Sequence, residues 1–222
     1  MLEKRVDVRG ARIRTLESGS GVPLLLLPSA SGRAAEYREL IPKLENNFHL
    51  YAIDYPGFGQ SDDAPEITGL TGLSEFVAAW MDAVGVRQSH VLGFSMGGWI
   101  ALSLALSHPD RVTRLILVAT SAGILPDVPI CNPSGMNFME ILDRFYYRPE
   151  IKTKLARQKL SAEEKAEIFR SSRAFDRLVQ GGEIAPALYP RLSEIRARTL
   201  VIGAEQDRAV PLPYQERLHA GI

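Results

Sequence analysis

Ser89-His90-Val91-Leu92-Gly93-Phe94-Ser95-Met96-Gly97-Gly98 is the stretch that decides the fold. Its first four residues read as a β-strand, and Met96 to Ser107 is apolar nearly all round, as a helix buried in an α/β core is. Between them stands Gly-x-Ser-x-Gly, weak as a bare pattern and strong where a strand runs into it and a helix leaves it. A sharp turn is needed to project Ser95 from the carboxyl edge of a sheet, and glycines at 93 and 97 remove side chains that would collide there. The same turn sets the Met96 N–H at a helix N-terminus, where it can donate to a developing oxyanion. Ser95 is therefore a candidate nucleophile.

Outward from this turn, short β-rich runs alternate with helical patterns, the mark of a mostly parallel sheet covered by helices. Arg5–Val8 and Ala11–Glu17 read as a hairpin about Arg9-Gly10, and Val22–Leu27 as a central strand buried on both faces. Tyr37, Leu40, Ile41 and Leu44 recur at helical spacing, and Phe48–Ile53 gives the next strand. Leu73, Phe76, Val77, Trp80, Met81 and Val84 form one helical stripe that Gly85 stops. Val112–Ala119 is a further strand. From Gly123 to about Pro190 the alternation breaks into a charged helical segment, with a helix over Phe138–Tyr147 and another opened by the capping box Ser161–Glu164. Thr199–Gly203 resumes the sheet and Pro211–His219 begins a last helix. The expected organisation is a core of 1–122 and 191–222 with a helical cap inserted at 123–190.

Composition narrows the function. Lys plus Arg equal Asp plus Glu at 26 each in 222 residues, so there is no basic field for nucleic acid or an anionic membrane surface. Met1–Thr15 is charged, without an apolar signal core, and no run approaches the roughly 18 apolar residues of a membrane span. The expectation is a soluble, cytoplasmic protein with a small, neutral partner. The single cysteine, Cys131, forms no internal disulfide and builds no metal site alone. No ligand cluster or phosphate loop implies a metal, nucleotide or flavin, so no cofactor is expected.

Gly93-Phe94-Ser95-Met96-Gly97-Gly98, followed by His108-Pro109-Asp110-Arg111-Val112, resembles the α/β-hydrolase fold family. Asp54-Tyr55-Pro56-Gly57-Phe58-Gly59-Gln60-Ser61-Asp62 is similar to the family's loop after the fourth strand, and Gly203-Ala204-Glu205-Gln206-Asp207 to its acid turn. The resemblance implies a helical cap after the sixth strand and a catalytic order of serine, acid, histidine. It assigns Asp207 as the acid that orients an imidazole, in preference to Glu205. The family's second oxyanion donor comes from the loop after its third strand, usually opened by His-Gly. Here that loop reads Leu27-Pro28-Ser29-Ala30-Ser31-Gly32, and the count from the strand end puts the Ala30 N–H at the donor position.

The base is the missing member. His49 and His90 stand at the amino-terminal ends of strands, His108 ends the helix after the turn, and His219 lies on the helix directly after Asp207. The resemblance demands another strand before the histidine. With Ala220-Gly221-Ile222 closing the sequence, the expectation is a chain lacking the last strand and helix, severely impaired as it stands, with the strand around Leu200–Ile202 exposed and prone to association. The leading function is a serine esterase or lipase acting on a small ester-like substrate through an acyl-enzyme. A carbon–carbon bond hydrolase or lactonase on the same scaffold is the neighbouring reading, and a non-catalytic binding protein the second class. Serine at position 95 argues against dehalogenases and epoxide hydrolases of this family, which use aspartate there.

Overall fold

The computed structural model describes residues 1–131, 136–179 and 186–222. Seven strands form one sheet: β1 (Leu2–Val8), β2 (Ala11–Ser18), β3 (Val22–Leu27), β4 (Phe48–Ile53), β5 (Ser89–Phe94), β6 (Val112–Val118) and β7 (Arg198–Ile202). Their spatial order is β1-β2-β4-β3-β5-β6-β7. β1 and β2 form an antiparallel hairpin and β2 pairs antiparallel with β4, while all pairings from β4 to β7 are parallel. The hairpin turns at Arg9 and Gly10, whose φ values of 54° and 85° match the left-handed pair that a two-residue connection requires.

Helices fall on both faces. α2 (Gly69–Ala83) and α3 (Met96–Ser107) bury Phe76, Trp80, Ile100 and Leu104 against Leu25, Val91 and Leu115, in the larger core. Side chains of this size each contribute roughly 1.5–3 kcal/mol when fully buried, and α3 is buried along all but its last residue. α7 (Leu212–Gly221) adds Leu218 to that core. On the opposite face a smaller core joins Leu24, Leu26, Leu50 and Ala52 to Tyr37 and Ile41. α4 (Phe138–Phe145), α5 (Pro149–Arg157) and α6 (Ala162–Val179) follow β6 in the chain and precede β7. Asn137 and Glu140 form the capping box of α4, and Ser161 and Glu164 exchange reciprocal bonds ahead of α6.

One element departs from its periodicity. The continuous helix expected through Tyr37, Leu40, Ile41 and Leu44 is instead a 3-10 turn over Ala34–Tyr37 followed by one turn of α-helix, α1 (Ile41–Leu44). Pro42 explains the break, because proline lacks an N–H and fits only the first turn of a helix. The apolar spacing still predicts burial: Tyr37 and Ile41 are in the smaller core, with Leu40 and Leu44 packed on it.

Candidate active site

Chain topology creates the crevice. β3 connects outward to β4 on one side, while β5 and β6 extend to the other, so the order reverses between β3 and β5. At such a reversal the connections leave in opposite directions and open a cleft beyond the carboxyl ends of the strands. Register aligns those ends: Leu27 of β3 lies beside Gly93 of β5. The loop bearing Ala30 and the turn bearing Ser95 therefore emerge side by side.

Ser95 is half-buried, with φ 52° and ψ −118°, a conformation disfavoured for any residue with a Cβ. Four hydrogen bonds hold it there. Its N–H donates to the Val118 carbonyl at 2.9 Å, and its own carbonyl accepts from Gly98 N–H at 2.9 Å, Trp99 N–H at 3.4 Å and the buried Thr120 hydroxyl at 2.6 Å. The flanking glycines serve close approach. A Cβ at position 97 would stand 2.1 Å from the Leu27 carbonyl oxygen, and one at 93 would stand 2.3 Å from the Gly97 carbonyl oxygen. Met96 opens α3, so its N–H has no acceptor within the helix.

The loop after β3 is held by a carboxylate. Glu36, in the 3-10 turn, accepts the Ser29 N–H at 2.8 Å through one oxygen and the Ser29 hydroxyl through the other. Ser29 in turn accepts from Ser31 N–H at 3.2 Å and from Gly32 N–H at 2.9 Å. Ala30 is thus set between two anchored serines. A second carboxylate ties the base of this loop to the next one: Asp54, fully buried, accepts from Ala34 N–H at 2.7 Å and Gln60 N–H at 2.8 Å, with Arg14 at 3.4 Å. Burial raises the Asp54 carboxyl above its ordinary value, and these donors offset part of that rise.

Asp207 sits in the turn after β7. One carboxylate oxygen accepts from both Ala209 N–H, at 2.8 Å, and Val210 N–H, at 2.9 Å, which fixes the side chain and leaves the other oxygen uncommitted by these bonds. Cys131 donates its N–H to the Ala209 carbonyl at 2.8 Å, bringing the connection after β6 against the acid turn. Burial pushes its thiol up, Arg144 opposes the rise and Asp207 adds to it.

Two cavities, of about 610 and 590 Å³, flank Ser95 and share Ala30, Phe145, Ala209 and Val210 with it. Asp207, Glu36, Phe94, Tyr146 and Tyr147 line the first. Met96, Trp99, Phe175, Ile124 and Cys131 line the second. Of the four predicted site residues, Ser95, Ala30 and Asp207 meet at the first cavity, and Ser95, Ala30 and Met96 at the second. The apolar side chains of α4 and the residue after it divide: Ile141, Phe145 and Tyr146 face the first cavity, Leu142 is buried, and Phe138 and Met139 are exposed. Glu36 and Thr120 went unrecognised in the sequence. An acid seven residues beyond Ser29, where Pro-Ser replaces the usual His-Gly, was the available signal for the first.

None of the four histidines borders either cavity. His49 pairs with Glu17 at 2.7 Å, His90 with Thr113 at 2.6 Å and His108 with Glu75 at 3.1 Å, while His219 is exposed on α7.

Fold and site together define an α/β scaffold with a serine on the strained turn between β5 and α3, at the edge of two cavities. Residues 22–139 match the family model described as alpha/beta hydrolase fold, and the chain belongs to that family. A 2-hydroxy-6-oxo-6-phenylhexa-2,4-dienoate hydrolase of Burkholderia cepacia is 30% identical over 95% of this chain and 80% of its own length. A pimeloyl-[acyl-carrier protein] methyl ester esterase of Aeromonas hydrophila is 40% identical over 46% of this chain and 39% of its own. The solved structure of a bacterial membrane phospholipase A, a virulence factor, superposes with a TM-score of 0.79 at 26% identity, covering 100% of this chain and 75% of that one. Among the described residues of this chain, no helix is long and apolar enough to cross a membrane.

Proposed function

We propose that this chain carries the site of a serine hydrolase of ester type. Ser95 Oγ attacks the carbonyl carbon of a small ester, the N–H groups of Met96 and Ala30 hold the resulting oxyanion, and collapse expels the alcohol to leave an acyl-enzyme. Water then attacks the acyl carbonyl and releases the acid. Asp207 orients the imidazole that takes and returns the proton, and none of the chain's own histidines stands at the cavity to be that imidazole. The observation that carries this reading is the meeting of Ser95, Ala30 and Asp207 on one cavity. The methyl ester esterase and the phospholipase A among the similar proteins agree with it.

A carbon–carbon bond hydrolase is the second reading, favoured by the Burkholderia cepacia relative, which aligns over nearly the whole chain. It uses the same nucleophile turn on a ketone carbonyl.

Imidazole supplied from solution tests the proposal. Turnover of 4-nitrophenyl butyrate, corrected for hydrolysis by free imidazole, is expected to rise saturably with imidazole and to vanish in Ser95→Ala. A folded chain whose imidazole-dependent turnover is the same with and without the Ser95 hydroxyl sinks the esterase reading. Tight ester binding without turnover under any of these conditions would leave the chain a binding protein.

A further inference from the structure

The two cavities are uniform in one respect: neither is lined by a Lys, Arg or His. The segments outside the described residues, 132–135 and 180–185, contain none of the three either. The charged groups that do border the first cavity are both acids, Glu36 and Asp207. Two arginines close in sequence to lining residues lie by carboxylates instead: Arg33, two residues after Ser31, is 3.7 Å from Glu167, and Arg208, next to Asp207, is 3.8 Å from Asp143. Arg144 makes its charge felt at Cys131 from outside the cavity lining. A ligand carboxylate entering beside Ser95 would lose hydration, meet no cationic partner and approach two like charges.

The two acids differ in what they hold. Asp207 commits one oxygen to the turn that shapes its own loop. Glu36 faces the cavity while binding Ser29 one residue before Ala30, so a single side chain both anchors the loop and charges the wall. Its charge reaches across the cavity: the Tyr146 phenol is raised by burial and, further, by Glu36.

We propose that the Ser95 cavity selects uncharged substrates and that Glu36 is the specificity-determining residue that turns carboxylates away. This rests on the reading of that cavity as the substrate site. It separates the chain from its Burkholderia cepacia relative, whose named substrate, a dienoate, is itself a carboxylate.

A matched pair of probes, benzyl butyrate and monobenzyl succinate, tests this on the chain itself. They are close in shape and differ by a terminal methyl against a carboxylate. Isothermal titration near neutral pH is expected to show the neutral ester binding at least about tenfold more tightly, with the preference falling at least about threefold between about 0.01 M and 1 M salt as the exposed Glu36 charge is screened. Glu36→Gln keeps an oxygen for Ser29 and removes the charge, so it should bring the two affinities within about threefold, chiefly by tightening the succinate. Equal or tighter binding of the succinate by the unmodified chain overturns the proposal. So does a preference that neither salt nor Glu36→Gln diminishes, because it would then arise elsewhere. The salt series needs no variant, and so stands even where Glu36→Gln fails to fold. Binding of neither probe would instead overturn the reading of the cavity as a substrate site.

Discussion

At Ser95 a disfavoured backbone conformation is held by its surroundings, at a cost of order 1–3 kcal/mol. The Thr120 hydroxyl is the one side chain among the four hydrogen bonds that hold it, which makes that contribution separable. Thr120→Val keeps the shape and removes the donor, so it should lower stability by about 1 kcal/mol in urea denaturation, because the Ser95 carbonyl retains two backbone donors. A loss of more than about 3 kcal/mol would mean that Thr120 does more than satisfy this carbonyl. The placement of Ser95 and Asp207 on one cavity is legible in the sequence, because each follows a strand that ends at the sheet's carboxyl edge. The parts of Thr120 and Glu36 are not, because each acts on a backbone group brought close by the sheet, and a single sequence carries no periodicity for such pairs.

Elements show where pattern reading succeeds and what defeats it. The α2 stripe with Gly85 behind it, and the all-round apolar α3, fold as their spacing demands, because burial and local propensity agree there. The α1 region shows the opposite: correct burial with a broken helix, since the apolar period survives a proline that the backbone ladder does not. The β1–β2 hairpin owes part of its stability to charge, which the strand pattern did not foretell. Glu3 of β1 is held below its ordinary value of 4.5 by a hydrogen bond from Arg14 of β2. Burial raises Glu17 of β2, but Lys4 of β1 and His49 of β4 outweigh it and bring that carboxyl down as well. A carboxyl lowered in the folded state stabilises it fully above the ordinary value and loses that contribution as pH falls through the folded one. Amide exchange in β1, corrected for its intrinsic pH dependence, should therefore show constant protection above 4.5 and decreasing protection below it. Glu3→Gln together with Glu17→Gln should flatten that decrease, and a decrease of unchanged size would place its origin outside these two groups.

The whole sheet is covered unequally. On the face served by α2, α3 and α7, every strand from β3 to β7 sends side chains into the larger core. On the other face Tyr37 and Ile41 shield β3 and β4, but toward β7 the shielding thins among the described residues. Leu92 and Ile116 are half-buried there, Phe94 is 37% exposed, and Leu200 and Ile202 of β7 are 56% and 43% exposed. Register makes these one surface, since Leu92 lies beside Ile116, Ile116 beside Leu200, and Val118 beside both Phe94 and Ile202. Among the described residues β7 pairs with β6 alone, so its outer edge also offers unmatched backbone groups. Contiguous apolar surface of this kind binds amphiphilic dyes and promotes association. The folded chain is accordingly expected to enhance the fluorescence of 8-anilinonaphthalene-1-sulfonate. Leu200→Lys with Ile202→Lys should remove most of that signal and delay the onset of light scattering on concentration. Stability should change little, within about 1 kcal/mol, since both side chains already stand largely in water. Dye binding that persists undiminished in the double variant would shift attention to the Ser95 cavities, and a saturating neutral ester would then be expected to displace it.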